Sequence, residues 1–116
     1  MLGVGIMATL TVQSLTTAGL NASFTAASSV DEFANNGHTF LWVKNAGAAT
    51  NAVVVTSQVS PVPVGLVALD VSVDVTASGQ KLSGFFPPDA YNDSSGCVKL
   101  RPTTHTDLSY AAISVT

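Results

Sequence analysis

The chain has 116 residues and a mass of 11.8 kDa, which fits one domain and leaves no room for two. Only 9% of the residues are charged, against roughly 25% in a typical globular protein. Four basic residues against seven acidic ones exclude a basic nucleic-acid-binding surface, and a hydrophobic content of 47% excludes an intrinsically disordered chain. The single cysteine, Cys97, excludes an internal disulfide and a cysteine-based zinc site.

The N-terminal stretch is fairly apolar but lacks the basic start and the solid apolar run of a secretory signal. No run of about 18 apolar residues occurs, so a transmembrane helix is not expected. We predict that residues 1–17 form an extended N-terminal arm, which pairs with a sheet edge of a neighbouring subunit or of the shell. Residues 18–116 are then the folded domain.

The first predicted elements are a short helix and a strand. Residues 29–34 (SVDEFA) predict about a turn and a half of helix, which ends at Asn35-Asn36-Gly37. Residues 38–44 (HTFLWVK) predict a strand with Phe40 and Trp42 on one face and Leu41 and Val43 on the other. Because both faces are apolar, this is either a central strand or a strand whose outer face lies against a partner.

The middle of the chain continues with strand patterns. Residues 50–58 contain a run of three valines, and residues 60–65 carry two prolines that favour an edge or a loop. Residues 66–77 alternate most clearly, with Val71, Val73 and Val75 among the residues on the apolar face. Asp70 and Asp74 lie on the opposite face, which indicates a half-buried strand with a solvated outer side.

Three more strands are predicted at residues 81–86, 97–101 and 108–115. Six or seven short strands with turn residues between them predict an all-β fold, a single-domain antiparallel β-sandwich or small β-barrel. The absence of alternating βα units argues against a parallel sheet. The residues expected in the core are apolar members of these strands: Phe40 or Leu41, Val53 or Val55, Val71, Val73, Leu82, Val98 and Ile113.

Patterns that carry chemistry are weak. His105 and Asp107 lie two residues apart, but no nucleophile motif accompanies them. Asp70 and Asp74 are about 13 Å apart along one strand, too far for a glycosidase pair. Residues 89–96 are rich in oxygen ligands but lack the terminal glutamate of a calcium loop, which favours a turn capped by its own Asn and Asp side chains. We therefore expect no enzyme, no cofactor and no metal site.

Three segments carry a family resemblance: residues 36–45 (NGHTFLWVKN), 84–93 (GFFPPDAYND) and 108–115 (LSYAAISV). In this order, after the short start at residues 10–13 (LTVQ), they resemble the capsid decoration, or cement, proteins of tailed bacteriophages. The resemblance implies a structural protein on the capsid exterior of the virion. Such a protein stabilises the head by bridging neighbouring subunits of the major capsid protein, and we expect it to form a dimer or trimer with itself.

An uncharged surface suits wide contacts, because few charges must be desolvated. The residues expected at interfaces are apolar, aromatic or proline side chains: Leu10, Val12, Trp42, Pro61, Pro63, Pro87, Pro88 and Tyr91. No nucleic-acid or membrane partner is expected. Two alternatives remain open. One is a head–tail connector or tail-associated virion protein, and the other is a carbohydrate-binding β-sandwich that exposes Trp42, Tyr91 or Tyr110.

Overall fold

The computed structural model describes residues 7–58 and 70–115, with side chains from residue 9 onwards. This part of the chain forms ten β-strands and one short helix. The strands are β1 (Met7–Thr9), β2 (Val12–Ser14), β3 (Thr25–Ala26), β4 (Val30–Ala34), β5 (Thr39–Asn45), β6 (Asn51–Val55), β7 (Val71–Val75), β8 (Gln80–Ser83), β9 (Cys97–Pro102) and β10 (Leu108–Ser114), and the helix is α1 (Pro88–Tyr91). No helix in this part is long and apolar enough to cross a membrane.

The strands form two sheets that pack face to face. Sheet A has the strand order β1-β4-β9-β6-β7, and sheet B has the order β2-β10-β5-β8, with β3 also paired to β10. Most neighbouring strands are antiparallel. The prediction of an all-β sandwich is confirmed.

Strand β5 shows how the sequence positions the sheets. Leu41 and Val43 are fully buried, whereas Phe40 and Trp42 lie half-buried on the outer side of sheet B. Successive side chains of a strand point to opposite faces, so the HTFLWVK pattern sets both faces at once. The predicted division of these four residues is confirmed.

The core lies between the sheets and consists mainly of Val, Leu and aromatic side chains. Its fully buried members include Phe33, Leu41, Val43, Val53, Val55, Val98, Leu100 and Tyr110, with Val73 and Val75 almost as buried. Ile113 is also buried, on the outer side of sheet B opposite Phe40, and Val71 is half-buried. The core prediction was wrong for Leu82, because this residue pairs with Trp42 and is 59% exposed on the outer side of an edge strand.

The segment predicted as an arm enters both sheets within residues 7–14. β1 pairs in parallel with β4 of sheet A, and β2 pairs in parallel with β10 of sheet B. Leu10 lies between these strands, where the chain crosses from one sheet to the other. Both sheets are therefore mixed, which the expectation of purely antiparallel pairing missed. Parallel pairs arise here without βα units because long connections separate the paired strands in the chain.

The helix predicted at residues 29–34 was wrong, because Val30–Ala34 forms strand β4. This strand is paired on both sides, to β1 and to β9. Its inward positions are Asp31 and Phe33, and both are fully buried. Burial and pairing on two sides outweigh a local preference for helix that was only about a turn and a half long.

Candidate functional site

The outer faces of the two sheets differ in their chemistry. Sheet A presents charged side chains on three strands, namely Glu32, Asp74, Lys99 and Arg101. Sheet B presents mainly apolar and aromatic side chains, and Lys44 is the one charged residue at its outward strand positions in the described part of the chain. The low charge of the sequence is therefore distributed unequally between two opposite faces.

An aromatic face covers the outer side of sheet B, and we define it by Phe24, Phe40, Trp42, Leu82 and Phe85. Phe40 and Trp42 come from β5, and Leu82 lies opposite Trp42 on β8. Phe24 precedes β3 and Phe85 follows β8, so both reach this face from connecting segments.

The rings of the aromatic face pack in two pairs. The ring centres of Phe24 and Trp42 lie 5.1 Å apart at an interplanar angle of 80°, and those of Phe40 and Phe85 lie 6.5 Å apart at 56°. Such tilted and edge-to-face pairs are favourable for aromatic rings. Leu82 and Phe85 nevertheless stay 59% and 52% exposed. A contiguous exposed apolar patch of this kind is typical of an interaction site.

A shallow depression of about 280 Å³ lies at one end of the aromatic face, between Phe40, Leu82 and Phe85. Its shape depends on Gly84, which has a φ of +144°. A Cβ atom at this position would lie 2.9 Å from the Cβ atom of Phe40. Glycine therefore lets the chain after β8 approach β5 closely and bring Phe85 beside Phe40.

The other end of the aromatic face carries polar donors. The Lys44 Nζ atom lies 4.1 Å from the ring centre of Phe24 and 5.7 Å from that of Trp42, which places the ammonium group against two rings. The indole Nε1–H of Trp42 donates to Gln80 Oε1 at 2.8 Å. Gln80 is the cross-strand partner of Lys44. This end is thus rich in hydrogen-bond donors.

Two of the charged groups on the face of sheet A, Lys99 and Glu32, pair with each other. Lys99 Nζ forms an ion pair with the Glu32 carboxylate and lies 3.2 Å from Asp93 Oδ2. The hydrogen bond to Glu32 is the main cause that raises the pKa of Lys99. Burial raises the pKa of the nearby Cys97 thiol, and the Glu32 and Asp93 carboxylates raise it further. This surface has its own counter-charges.

The oxygen-rich loop at residues 89–96 forms a self-capped turn. Asp93 Oδ1 accepts hydrogen bonds from the backbone N–H groups of Ser95 and Cys97, at 2.8 Å and 3.1 Å. The Cys97 N–H is the strongest cause that lowers the pKa of the Asp93 carboxyl, with smaller effects in the same direction from Ser95 and Lys99, while burial acts the other way. The prediction that this turn is capped by its own side chains is confirmed for Asp93.

The predicted interface residues do not converge on one surface. Trp42 lies on the aromatic face, Leu10 is only 3% exposed in the core, and Val12 packs partly buried against that core. Tyr91 also packs against the core, with its ring centre 5.8 Å from that of Phe86. Four predicted residues are prolines: Pro87 and Pro88 are exposed at the start of α1, and Pro61 and Pro63 lie outside the described residues.

Sequence reasoning missed Phe24, Leu82 and Phe85 as members of a surface. The one available signal was the apolar outer face of β5, which raised the possibility of a partner there. The two loop residues, Phe24 and Phe85, are brought to β5 by long-range folding, and no spacing in the sequence links them to it.

The residues considered for catalysis are spread over exposed positions. His105 and Asp107 lie exposed before β10. The Asp70 carboxylate accepts the Ser57 N–H at 2.7 Å, and the Asp74 carboxylate accepts the Ser72 hydroxyl at 2.7 Å. Within residues 7–58 and 70–115, no group of three His, Cys, Asp or Glu side chains is placed to hold a metal ion.

Comparisons with protein families, with curated protein sequences and with solved structures find no match to this chain.

Proposed function

We propose that the chain is a capsid decoration, or cement, protein of a tailed bacteriophage. In this role it binds the capsid exterior, bridges neighbouring subunits of the major capsid protein and performs no catalysis. The observation that carries the proposal is the aromatic face of sheet B, where Leu82 and Phe85 are exposed and the outward strand positions among the described residues include no carboxylate. The three segments that resemble such proteins support it, and two of them contribute to this face.

The size of the aromatic face supports a role in a repeated array. Strands β10, β5 and β8, spaced by about 4.8 Å and four to seven residues long, cover roughly 300 Å². A stable pairwise complex buries about 800 Å² on each partner. One contact through this face alone is therefore weak, whereas many copies on a capsid lattice, or a dimer or trimer around a local axis, gain avidity.

The alternative of a carbohydrate-binding module has less support from the three rings on which it depends. Tyr110 is fully buried and Tyr91 packs against the core. Trp42 is half-buried, and its indole N–H already donates to Gln80. A sugar platform built on these three residues needs at least one fully exposed ring among them, so this alternative has less support than a protein contact.

The test uses purified heads of the encoding phage assembled without this chain. We expect the added protein to bind expanded heads at a fixed copy number and to raise the temperature at which they rupture. Absence of binding to expanded heads would overturn the proposal. Gel analysis of virions separates the remaining alternative, because a decoration protein is an abundant band, whereas a connector or tail-associated protein is present in few copies.

A further inference from the structure

We infer that the aromatic face docks on a surface that combines an apolar side chain with a carboxylate, and that Lys44 binds this carboxylate. The inference rests on the proposed function, in which the partner is the major capsid protein. It identifies the part of this chain that touches the shell and the chemistry that the shell must offer.

The first step is the position of Lys44. Its Nζ atom lies over the Phe24 ring, at 4.1 Å from the ring centre, on the outer side of sheet B. The ion pairs found among the described residues belong to Lys99, on the opposite face of the sandwich. Lys44 thus carries a positive charge at the end of an apolar surface, without a carboxylate beside it in the described part of the chain.

The second step follows from desolvation. A partner that covers the aromatic face must take water away from the ammonium group at its end. A buried ammonium without a counter-charge is strongly unfavourable, and a small apolar contact does not offset it. A carboxylate on the partner removes this penalty, since the pair then forms in a surrounding of low dielectric constant.

The third step is the neighbour of Lys44 across the strand pair. Gln80 accepts the Trp42 indole N–H with its Oε1 atom, at 2.8 Å, so this hydrogen bond does not use the donors of its Nε2 group. The Lys44 ammonium group and the Gln80 amide NH₂ group are both donors at this end of the aromatic face, and donors of both kinds bind carboxylates. The depression between Phe40, Leu82 and Phe85 lies farther along the same face and accommodates the apolar side chain.

A second copy of this chain fits the aromatic face less well. In a symmetric contact each patch meets the same patch of the partner. The outward strand positions of sheet B that the structure describes include no carboxylate, so such a contact would bury two lysines without counter-charges. Charge complementarity therefore favours a different chain as the occupant.

The experiment measures binding to purified heads that lack this chain, at several salt concentrations. Lys44→Met keeps the length of the side chain and removes its charge, and Lys44→Glu reverses the charge. The matched control is Lys81→Met, because Lys81 is exposed on β8 but lies opposite Val43, on the inward side of sheet B. Melting curves of each free variant confirm that it is folded.

We expect Lys44→Met to weaken binding about 10-fold or more, Lys44→Glu to abolish it, and Lys81→Met to leave it within about twofold. Leu82→Ser and Phe85→Ser should also weaken binding, because they remove the apolar contact. The salt dependence of wild-type binding should be reduced in Lys44→Met.

If the wild type binds heads and the Lys44 variants bind equally well, the inference is wrong while the proposed function stands. If the wild type does not bind expanded heads, the proposed function fails and the inference fails with it. A wild-type oligomer in light scattering that Leu82→Asp dissociates would identify a second copy as the occupant. Binding on a glycan array that Trp42→Ala removes would identify a sugar, and either result overturns the inference.

Discussion

Asp31 on β4 accepts a hydrogen bond from the hydroxyl of Tyr110 on β10, so one side-chain pair joins sheet A to sheet B inside the core. Both residues are fully buried, and an Asp31 carboxylate oxygen also accepts the backbone N–H of Ser28 at 2.8 Å. A buried carboxylate is costly unless hydrogen bonds satisfy it. The hydrogen bond between Asp31 and Tyr110 therefore favours this packing of the two sheets over others that would leave the carboxylate unsatisfied.

Removal of the Tyr110 hydroxyl tests this connection. Tyr110→Phe keeps the ring in the core but takes a donor from the buried carboxylate, and we expect the free energy of unfolding to fall by about 1–3 kcal/mol. Urea denaturation measures the change. Ser109→Ala, at the next position on the outer side of β10, serves as the control and should change stability by less than about 0.5 kcal/mol. Equal effects of both variants would contradict the role of the hydroxyl.

The register of the edge strands is tested by a pair of truncations. Val73 is 3% exposed, whereas Leu82 is 59% exposed. We expect Val73→Ala to lower the free energy of unfolding by about 1–3 kcal/mol. Leu82→Ala should cost less than about 0.5 kcal/mol, although it removes the larger side chain. Thermal or urea unfolding measures both, and a greater loss for Leu82→Ala would mean that β8 faces the other way.

The close approach at Gly84 predicts a steric effect. In Gly84→Ala the new Cβ atom would meet the Phe40 Cβ atom at 2.9 Å, and the residue would keep a φ that side chains disfavour. We expect the free energy of unfolding, measured by urea denaturation, to fall by about 1–3 kcal/mol. Gly19→Ala is the control, because Gly19 also has a positive φ of +94° but has open space around its Cβ position. The free energy of unfolding of Gly19→Ala should fall by only about 1 kcal/mol. A larger decrease for Gly19→Ala than for Gly84→Ala would contradict the steric explanation.

The turn at Asp93 predicts a dependence of stability on pH. The Cys97 N–H, with smaller contributions from Ser95 and Lys99, lowers the pKa of Asp93 in the folded chain relative to the unfolded chain. The ionised Asp93 carboxylate therefore contributes its full stabilisation above the pKa of the unfolded chain, about 4. This stabilisation is lost as the pH falls through the lower pKa of Asp93 in the folded chain.

Asp93→Asn removes the titrating group and keeps an oxygen that accepts the two N–H groups. We expect wild type and variant to differ in stability at pH 7 and to converge as the pH approaches 2, measured by urea denaturation at each pH. Asp89→Asn, which changes an exposed carboxylate on α1, is the control. A constant difference between wild type and Asp93→Asn across this range would refute the prediction.

The sequence predicted best where one strand carried its own signal. The alternation in β5 assigned Leu41 and Val43 to the core, because a strand with a period of two residues sets its faces locally. Leu82 was misplaced because its side depends on which residue of β5 it pairs with. This register depends on both β5 and β8, so the sequence of β8 alone does not determine which side Leu82 faces.

The aromatic face was only partly predictable for the same reason. Trp42 and the apolar outer side of β5 were visible in the sequence, and they indicated a possible partner. Phe24 and Phe85 reach this face by tertiary contacts with Trp42 and Phe40. The position of Lys44 against two rings depends on the same contacts, so its role as a candidate carboxylate ligand emerged only from the structure.

The place of β10 in sheet B has a consequence for how the chain folds during synthesis. β10 lies between β5 on one side and β2 and β3 on the other, yet it follows every other described strand along the chain. Until the ribosome has released it, β2 and β3 have no strand to pair with, and Asp31 has no tyrosine to bind. Contacts between distant segments make folding slow. The apolar sides of β2 and β3 therefore stay uncovered until β10 has been synthesised. During this time, association with other chains competes with folding.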